Sequence, residues 1–143
     1  MKTLDLFKKV IFAQAIGDAI GVPFEFTHSS AIKPEKVMQM IGYGTWNQPP
    51  GTWSDDTAMT LATIASIENF KSPLPITGMM NNFLSWWKNG KFSCHGNCFD
   101  VGSQTAQALV EWSISKKTIV GKGSELGNGA LMRIMPVAFM GYK

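Results

Sequence analysis

The feature that most constrains the fold is a series of helix-length apolar segments separated by loops rich in glycine and proline. From Leu4 to Ile20, apolar and small residues recur at intervals of three and four, which is the spacing of one helical face. Further helices are predicted over 55–70, 76–88, 101–116 and 130–139, and part of 34–41 is predicted to form a short one. Pro136 is expected to kink or shorten the last helix. No segment alternates convincingly as a strand would, so the pattern predicts an all-α fold.

Composition and charge exclude several classes of protein. The 143 residues are 45% hydrophobic and 16% charged, which is typical of one globular domain and not of a disordered or fibrous chain. No apolar run approaches the roughly 18 residues of a membrane span, and no signal peptide is visible, so we expect a cytoplasmic protein without a membrane partner. The thirteen basic residues are twelve lysines and Arg133. Because nucleic-acid readers rely on arginine, we expect no nucleic-acid partner.

Two cysteines flank a histidine in the segment Cys94-His95-Gly96-Asn97-Cys98. A structural zinc site needs four ligands, and the only other histidine is His28, so zinc is not favoured. A disulfide that closes so short a loop is also disfavoured in a reducing cytoplasm. We therefore predict two ordinary thiols.

The sharpest polar cluster is Ser54-Asp55-Asp56-Thr57, which follows a loop over 28–52 that is rich in glycine and proline. Ser54 is expected to be the N-cap of a helix with two acids in its first turn. Spacing alone favours this plain capping role. The second interpretation is a site for a hard divalent cation, because carboxylate and hydroxyl oxygens are the ligands that such ions prefer.

Other polar segments lie beside predicted helices. Asp18 and Glu25 lie near the end of the first predicted helix, while the segments 100–105 and 127–130 carry glycine and hydrogen-bonding side chains just before a helix. Backbone N–H groups at such positions can hold a phosphate, and the same segments also suit ordinary turns. Arg133 either faces a phosphate or pairs with an acid.

Four stretches together resemble, in order and spacing, the motifs of the ADP-ribosylglycohydrolase family: GDAIGVPFEF, GTWSDDTAMTLA, CFDVGSQT and GNGALMRIMP. The resemblance covers essentially the whole chain. It implies an all-α fold of mostly orthogonal helices. It also implies hydrolysis of the glycosidic bond between ADP-ribose and an acceptor, either a protein side chain or a small molecule, assisted by two Mg²⁺ or Mn²⁺ ions.

The resemblance also implies roles for individual residues. Ser54, Asp55 and Asp56 match the family's first metal-ligand motif, with Ser54 where many members have threonine. Glu25 falls where the family has an acid on a mobile loop, and Glu25, Asp55 and Asp56 would be the catalytic residues. Asp18 is expected to contact the metal-ligating residues and not the metal itself. The positions matching substrate-side motifs near the ribose and phosphates are Asp100, Gly102, Asn128, Gly129 and Arg133.

One departure concerns the second metal motif of the family, an Asp-x-Asp-Thr in the C-terminal half of longer chains. After Thr57 the acids here are Glu68, Asp100, Glu111 and Glu125, and no such motif occurs. We therefore interpret 1–143 as a truncated N-terminal half of an ADP-ribosylglycohydrolase-like domain with an incomplete second metal site. Its expected partners are ADP-ribosylated protein or a small ADP-ribosyl compound, together with a missing C-terminal half or further copies in a homo-oligomer. Two other hypotheses stay open: a non-catalytic helical module that binds ADP-ribose or a partner, and a structural fragment without a ligand.

We expect the chain purified alone to release little or no ADP-ribose from a modified arginine or serine peptide, even with Mg²⁺ or Mn²⁺ supplied. Two metals act jointly on one substrate when about 3.5–4 Å apart, and each ion needs its own ligands. The ligands visible here belong to one cluster. An assay of released ADP-ribose checks this expectation, and turnover near the rate of a full-length relative would contradict it.

Overall fold

A computed structural model describes residues 3–67, 73–120 and 126–141. The helices are α1 (Thr3–Gly21), α2 (Pro34–Val37), α3 (Asp55–Ser66), α4 (Ile76–Asn89), α5 (Ser103–Ser115) and α6 (Met135–Gly141). Single 3-10 turns lie at Val22–Phe24, Ser29–Ala31 and Gly44–Trp46. Within the described ranges, β-type pairing is confined to one isolated bridge between Tyr43 and Gln48. The prediction of an all-α fold is therefore confirmed.

Helix α3 forms the centre of the core. Met59 and Ala62 on this helix are completely buried, and they pack with Phe83 and Trp86 of α4 and Leu109 of α5. Thr60, Thr63 and Ser66 occupy three further buried positions of α3, and each of these hydroxyls donates a hydrogen bond to the carbonyl four residues earlier. These bonds satisfy polar groups that would otherwise be costly to bury. The packing fixes the N-terminal end of α3 relative to α4 and α5.

Two predicted helix boundaries were wrong. Helix α3 ends at Ser66, and Ile67 follows as its C-cap; the predicted continuation over 68–70 lies outside the described residues. The last helix begins at Met135 instead of Ala130, after a series of turns. Pro136 therefore stands in the first turn, where its missing N–H is not needed, and does not interrupt the helix.

Helix α1 exposes much of its apolar surface. Ala19 is its buried residue, whereas Phe12 and Ile16 are 68% and 51% exposed. Near its beginning, Leu4 and Phe7 line an apolar cavity of about 300 Å³ together with Phe139 of α6. In the part of the chain that the structure describes, no helix combines the length and hydrophobicity needed to cross a membrane.

A close backbone approach at Gly44 folds the loop after α1 back on itself. Gly44 has a φ of +62°, and a Cβ atom there would lie 2.0 Å from the carbonyl oxygen of Pro23. Glycine alone permits both the positive φ and the contact. The approach packs the turn Gly44–Trp46 against the turn Val22–Phe24 and brings the Trp46 indole to Glu25.

We expect Gly44→Ala to destabilise this packing more than Gly96→Ala. Gly96 also has a positive φ, +74°, but a Cβ atom there meets nothing within 4 Å. Both variants incur the left-handed backbone strain of about 1–2 kcal/mol. Only Gly44→Ala adds a backbone clash, and overpacking of this kind lowers the free energy of unfolding by about 1–3 kcal/mol.

The measurement is urea unfolding of both variants, followed by circular dichroism and by tryptophan fluorescence. Equal losses in the free energy of unfolding would show that the contact between Gly44 and Pro23 does not constrain the loop.

Candidate active site

Asp18, at the end of α1, caps the N-terminus of α3 from outside the helix. Its carboxylate accepts hydrogen bonds from the backbone N–H of Ser54 (3.0 and 3.1 Å) and of Thr57 (2.9 Å). The Thr57 hydroxyl also donates to Asp18, at 2.6 Å. Ser54 is the N-cap as predicted, but its hydroxyl lies 3.4 Å from the Asp56 nitrogen. Asp18 therefore satisfies the free N–H groups of this helix end better than the local cap does.

Asp100 reaches the same helix end from the loop before α5. Its Oδ2 accepts a hydrogen bond from the backbone N–H of Asp55 at 3.1 Å. The positive end of the α3 dipole favours carboxylates at this position. Two chain segments separated by some 80 residues (Asp18 to Asp100) thus place acids on one helix terminus.

Glu25 approaches the same acids from the 3-10 turn after α1. Its carboxylate accepts a hydrogen bond from the indole N–H of Trp46, and its backbone carbonyl accepts one from the Thr45 hydroxyl at 2.5 Å. Burial raises the pKa of Glu25, the Trp46 hydrogen bond lowers it, and the charges of Asp18 and Asp56 raise it further. Glu25 therefore lies within electrostatic range of the α3 terminus.

The carboxylates at this helix end, which we call the acid cluster, are Asp18, Glu25, Asp55, Asp56 and Asp100. Burial and then the charge of Asp100 raise the pKa of Asp55 to about 8. Burial also raises the pKa of Asp100, to about 6, against the lowering effect of the Asp55 N–H. For Asp56, burial and then the charge of Asp18 raise the pKa. Like charges held together in a partly buried place resist ionisation, and a cation among them would relieve that repulsion.

Arg133 lies on the core side of the acid cluster. Its guanidinium sits 4.6 Å from the centroid of the Phe83 ring, and Nη1 lies 3.4 Å from the Met59 sulfur. Burial lowers the pKa of Arg133 and the charge of Asp55 raises it, so the guanidinium lies within electrostatic range of Asp55. The structure thus places this guanidinium over an aromatic ring; its contact with a substrate phosphate stays a prediction.

The remaining predicted substrate positions lie at the start of α5 and in the turns before α6. Gly102 is the N-cap of α5, and the Asn128 carbonyl accepts hydrogen bonds from the N–H groups of Leu131 and Met132. A Cβ atom on Gly129 would lie 2.8 Å from the Thr105 hydroxyl of α5. The structure therefore brings these two glycine-containing segments together, as sites on one substrate would require.

Gln14 is a residue that sequence reasoning missed. Its amide nitrogen lies 2.8 Å from the Thr60 hydroxyl, 3.0 Å from the Met132 carbonyl and 3.2 Å from the Asp56 carbonyl. It therefore connects α1, α3 and the turns before α6 directly beneath the acid cluster. The one signal available was its position four residues before Asp18, which places both side chains on the same face of α1.

The donor set suits a hard cation, although it is incomplete. The hydroxyl of Ser54 and the carboxyl groups of Asp55 and Asp56 are oxygen donors of the kind that Mg²⁺ and Mn²⁺ take, and burial together with neighbouring acids raises the pKa of both carboxyls. Within 3–67, 73–120 and 126–141, however, no three His, Cys, Asp or Glu side chains converge closely enough to enclose an ion. The described residues therefore fit part of a coordination shell.

The segment 94–98 has other contacts. Cys94 and Cys98 are free thiols, and burial raises the pKa of Cys98 to about 11. His95 Nε2 lies 2.9 Å from the Thr52 hydroxyl. This segment therefore packs beside Thr52, in the part of the loop that leads into α3.

The raised pKa values predict how stability depends on pH. In the folded chain Asp55 keeps its proton up to about pH 8, whereas an unfolded aspartate loses it near about 3.9. Between these values unfolding releases a proton, so the free energy of unfolding falls as the pH rises. The slope is at most about 1.4 kcal/mol per pH unit for each such carboxyl.

We therefore expect the melting temperature of the metal-free chain to fall from pH 5 to pH 8, and Asp55→Asn to flatten this dependence. Glu35→Gln, which removes an exposed carboxylate on α2, is the matched control and should keep the wild-type slope. Thermal unfolding followed by circular dichroism measures the melting temperature of each variant from pH 5 to pH 8. A melting temperature that rises over this range would contradict the repulsion inferred for the acid cluster.

Comparison with known proteins identifies the family of the chain. The chain matches the family model for ADP-ribosylglycohydrolase over residues 1–143. It is 33% identical to the ADP-ribosylarginine hydrolase Tri1 of Pseudomonas putida (strain GB-1), over 96% of this chain and 36% of that protein. It is 30% identical to the ADP-ribosyl-[dinitrogen reductase] glycohydrolase of Rhodospirillum rubrum, over 87% of this chain and 40% of that protein.

A comparison with solved structures also finds a relative with the ADP-ribosylglycohydrolase fold. The chain superposes on a structure described as an ADP-ribosylglycohydrolase-related protein complex, with a TM-score of 0.70 and 27% identity. The match covers 90% of this chain and 40% of that one. The chain thus spans about two fifths of the length of these relatives. On its sequence and its fold, it belongs to the ADP-ribosylglycohydrolase family.

Proposed function

We propose that this chain carries the first cation site and part of the substrate pocket of a metal-dependent hydrolase that removes ADP-ribose from a modified protein. The observation that carries the proposal is the acid cluster. Its five carboxylates come from α1, the turn after it, α3 and the loop before α5, and their charges act on one another. A capping role for α3 alone would not require so many acids.

The chemistry of the bond explains why acids are needed. When the acceptor leaves the ribose C1 carbon, positive charge develops on the sugar ring, and nearby carboxylates stabilise it. Glu25, held by the Trp46 indole, has a raised pKa. A raised pKa lets a carboxyl group keep its proton to a higher pH, and such a proton can be donated to a leaving group.

Ser54, Asp55 and Asp56 are the residues that would hold a Mg²⁺ or Mn²⁺ ion. When bound, such an ion supplies an anchor for the ribose hydroxyls and lowers the pKa of a bound water. Asp100 and Asp18 then act through the backbone: their hydrogen bonds to Asp55, Ser54 and Thr57 set the orientation of the helix end that presents the ligands.

The substrate pocket is proposed to continue from the acid cluster to the start of α5. Asp100 and Gly102 border it on one side, and Asn128 and Gly129 on the other. Backbone N–H groups at this helix start favour an anion such as the diphosphate. Arg133 adds positive charge between the pocket and the core. The relatives named for ADP-ribosylarginine and for dinitrogen reductase support a protein-bound ADP-ribose as the substrate.

We expect Asp55→Asn and Asp56→Asn each to weaken Mn²⁺ binding by at least tenfold while preserving helix content. Asparagine still fits the first turn of α3, but it lacks the charge that a hard cation needs. Asp5→Asn, at the exposed start of α1, is the matched control for the loss of one carboxylate. Isothermal titration calorimetry with Mn²⁺ at pH 8, with circular dichroism of each variant, makes the measurement. Unchanged affinity in both variants would leave the cluster as a helix cap only.

A further inference from the structure

Helix α1 turns one face away from the rest of the described chain. Exposed residues recur on this face at intervals of four, in two adjacent rows. In the first row, the side chains of Phe12 and Ile16 are 68% and 51% exposed. Large apolar side chains grouped on one helix face indicate a surface that another polypeptide covers. We call this surface the open face of α1, and its residues are Lys8, Phe12 and Ile16 in the first row and Ala13, Gly17 and Gly21 in the second.

Packing within the chain does not explain the two glycines of the open face. A Cβ atom on Gly17 or on Gly21 would meet nothing within 4 Å, and both residues lie outside the set of glycines with positive φ. Gly17 stands inside the helix, where glycine costs about 1 kcal/mol relative to alanine. A residue without a side chain at this exposed position lets a second backbone approach closely.

The two rows have the shapes of a ridge and a groove. Residues four apart form the ridges of a helix, and the ridges of one helix pack into the grooves of another. The ridge of Phe12 and Ile16 lies directly beside the groove of Ala13 and Gly17. A second copy that runs in the opposite direction places its Phe12 over Gly17 and its Ile16 over Ala13, and it receives the same two contacts in return. Such a self-complementary face is what a twofold dimer requires.

The charges along α1 favour the same direction of pairing. The last turn of α1 contains Asp18 and no basic residue, although the C-terminal end of a helix favours a cation. In the antiparallel pairing, Lys8 of each copy comes to the last turn of the other, beside Gly21. A parallel pairing would instead place Lys8 beside Lys8 at one end and Asp18 beside Asp18 at the other. Charge complementarity therefore selects the antiparallel arrangement.

We propose that the open face of α1 binds a second copy of this chain in an antiparallel, twofold homodimer. The proposal goes beyond the proposed function and does not rest on it, since no residue of the open face is assigned to the cation or to the substrate pocket. The dimer buries the Phe12 and Ile16 side chains of both copies. It also gives the glycines of the open face a packing partner.

Sedimentation equilibrium of the 143-residue chain, over a wide range of concentrations, tests the proposal. Each variant of the open face has a matched control on α5 or just after it, at an exposed position. Circular dichroism and urea unfolding check that every variant is folded. The pairs of variant and control are Phe12→Ala with Ile114→Ala, Gly17→Leu with Gln107→Leu, and Lys8→Glu with Lys117→Glu.

We expect the wild-type chain to dimerise with a dissociation constant of about 10–100 µM, as small interfaces do. Phe12→Ala should weaken the dimer at least about tenfold, because each dimer loses two buried rings. Gly17→Leu should weaken it to a similar extent by filling the groove, while α1 itself gains a better helix former. Lys8→Glu should weaken the dimer about three- to tenfold. The three controls should associate like the wild type.

Several results would overturn the proposal. One is a wild-type chain that stays monomeric at the highest concentration, and another is a dimer that neither Phe12→Ala nor Gly17→Leu weakens. Loss of the dimer in Ile114→Ala would place the interface on α5. Unchanged or tighter association of Lys8→Glu would contradict the antiparallel direction.

A dye experiment distinguishes a second copy from a different occupant of the open face. The probe is 8-anilinonaphthalene-1-sulfonate, whose fluorescence rises on exposed apolar surface. If the chain is a dimer, the dye should bind more strongly as dilution separates the copies, and this result supports the proposal. A monomer that binds the dye at every concentration, and binds it less in Phe12→Ala, would show that the face awaits a different polypeptide, such as a segment of a longer family chain. That result would overturn the proposal of a second copy.

Discussion

The hydrogen bonds from the N-terminus of α3 to Asp18 are the contact on which the rest of the site depends. A helix start leaves backbone N–H groups without partners, and here an acid from another helix accepts those of Ser54 and Thr57. The bonds fix the end of α1 against α3, the most buried of the described helices. Asp100 completes the arrangement from the other side through the Asp55 N–H. Stability and site geometry therefore depend on the same few bonds.

The arrangement concentrates negative charge, and that charge links stability to function. Acids that cap a helix are favourable one at a time, but Asp55, Asp56 and Asp100 lie close enough to raise each other's or their neighbours' pKa values. A sequence selected only for a stable helix would place a neutral residue at one of these positions. The repulsion among these acids destabilises the folded chain, and under the proposed function a bound cation and the positive charge that develops on the sugar would offset it.

Local sequence patterns predicted much of the fold. Period-three-and-four spacing predicted α1, α4 and α5 closely, and Ser54 with its two acids predicted the start of α3. The pattern failed at Pro136, because a proline is compatible with the first turn of a helix as well as with its interruption, and only the preceding turns decide between them. It also failed to identify Gln14, since a single glutamine on a helix carries no sign of which carbonyls surround it.

The sequence by itself determined which chemical groups are available: the oxygen donors at 54–56, the acids at 18, 25 and 100, and the all-α class. Resemblance to a family predicted that these residues belong to one site. Tertiary structure alone decided that Asp18 caps α3, that Gly44 packs onto Pro23, and that Phe26, Trp46 and Phe99 lie together. The reason is that a local sequence pattern depends on interactions between residues close together in the chain. The distances between separate loops depend instead on how the helices pack around the buried face of α3.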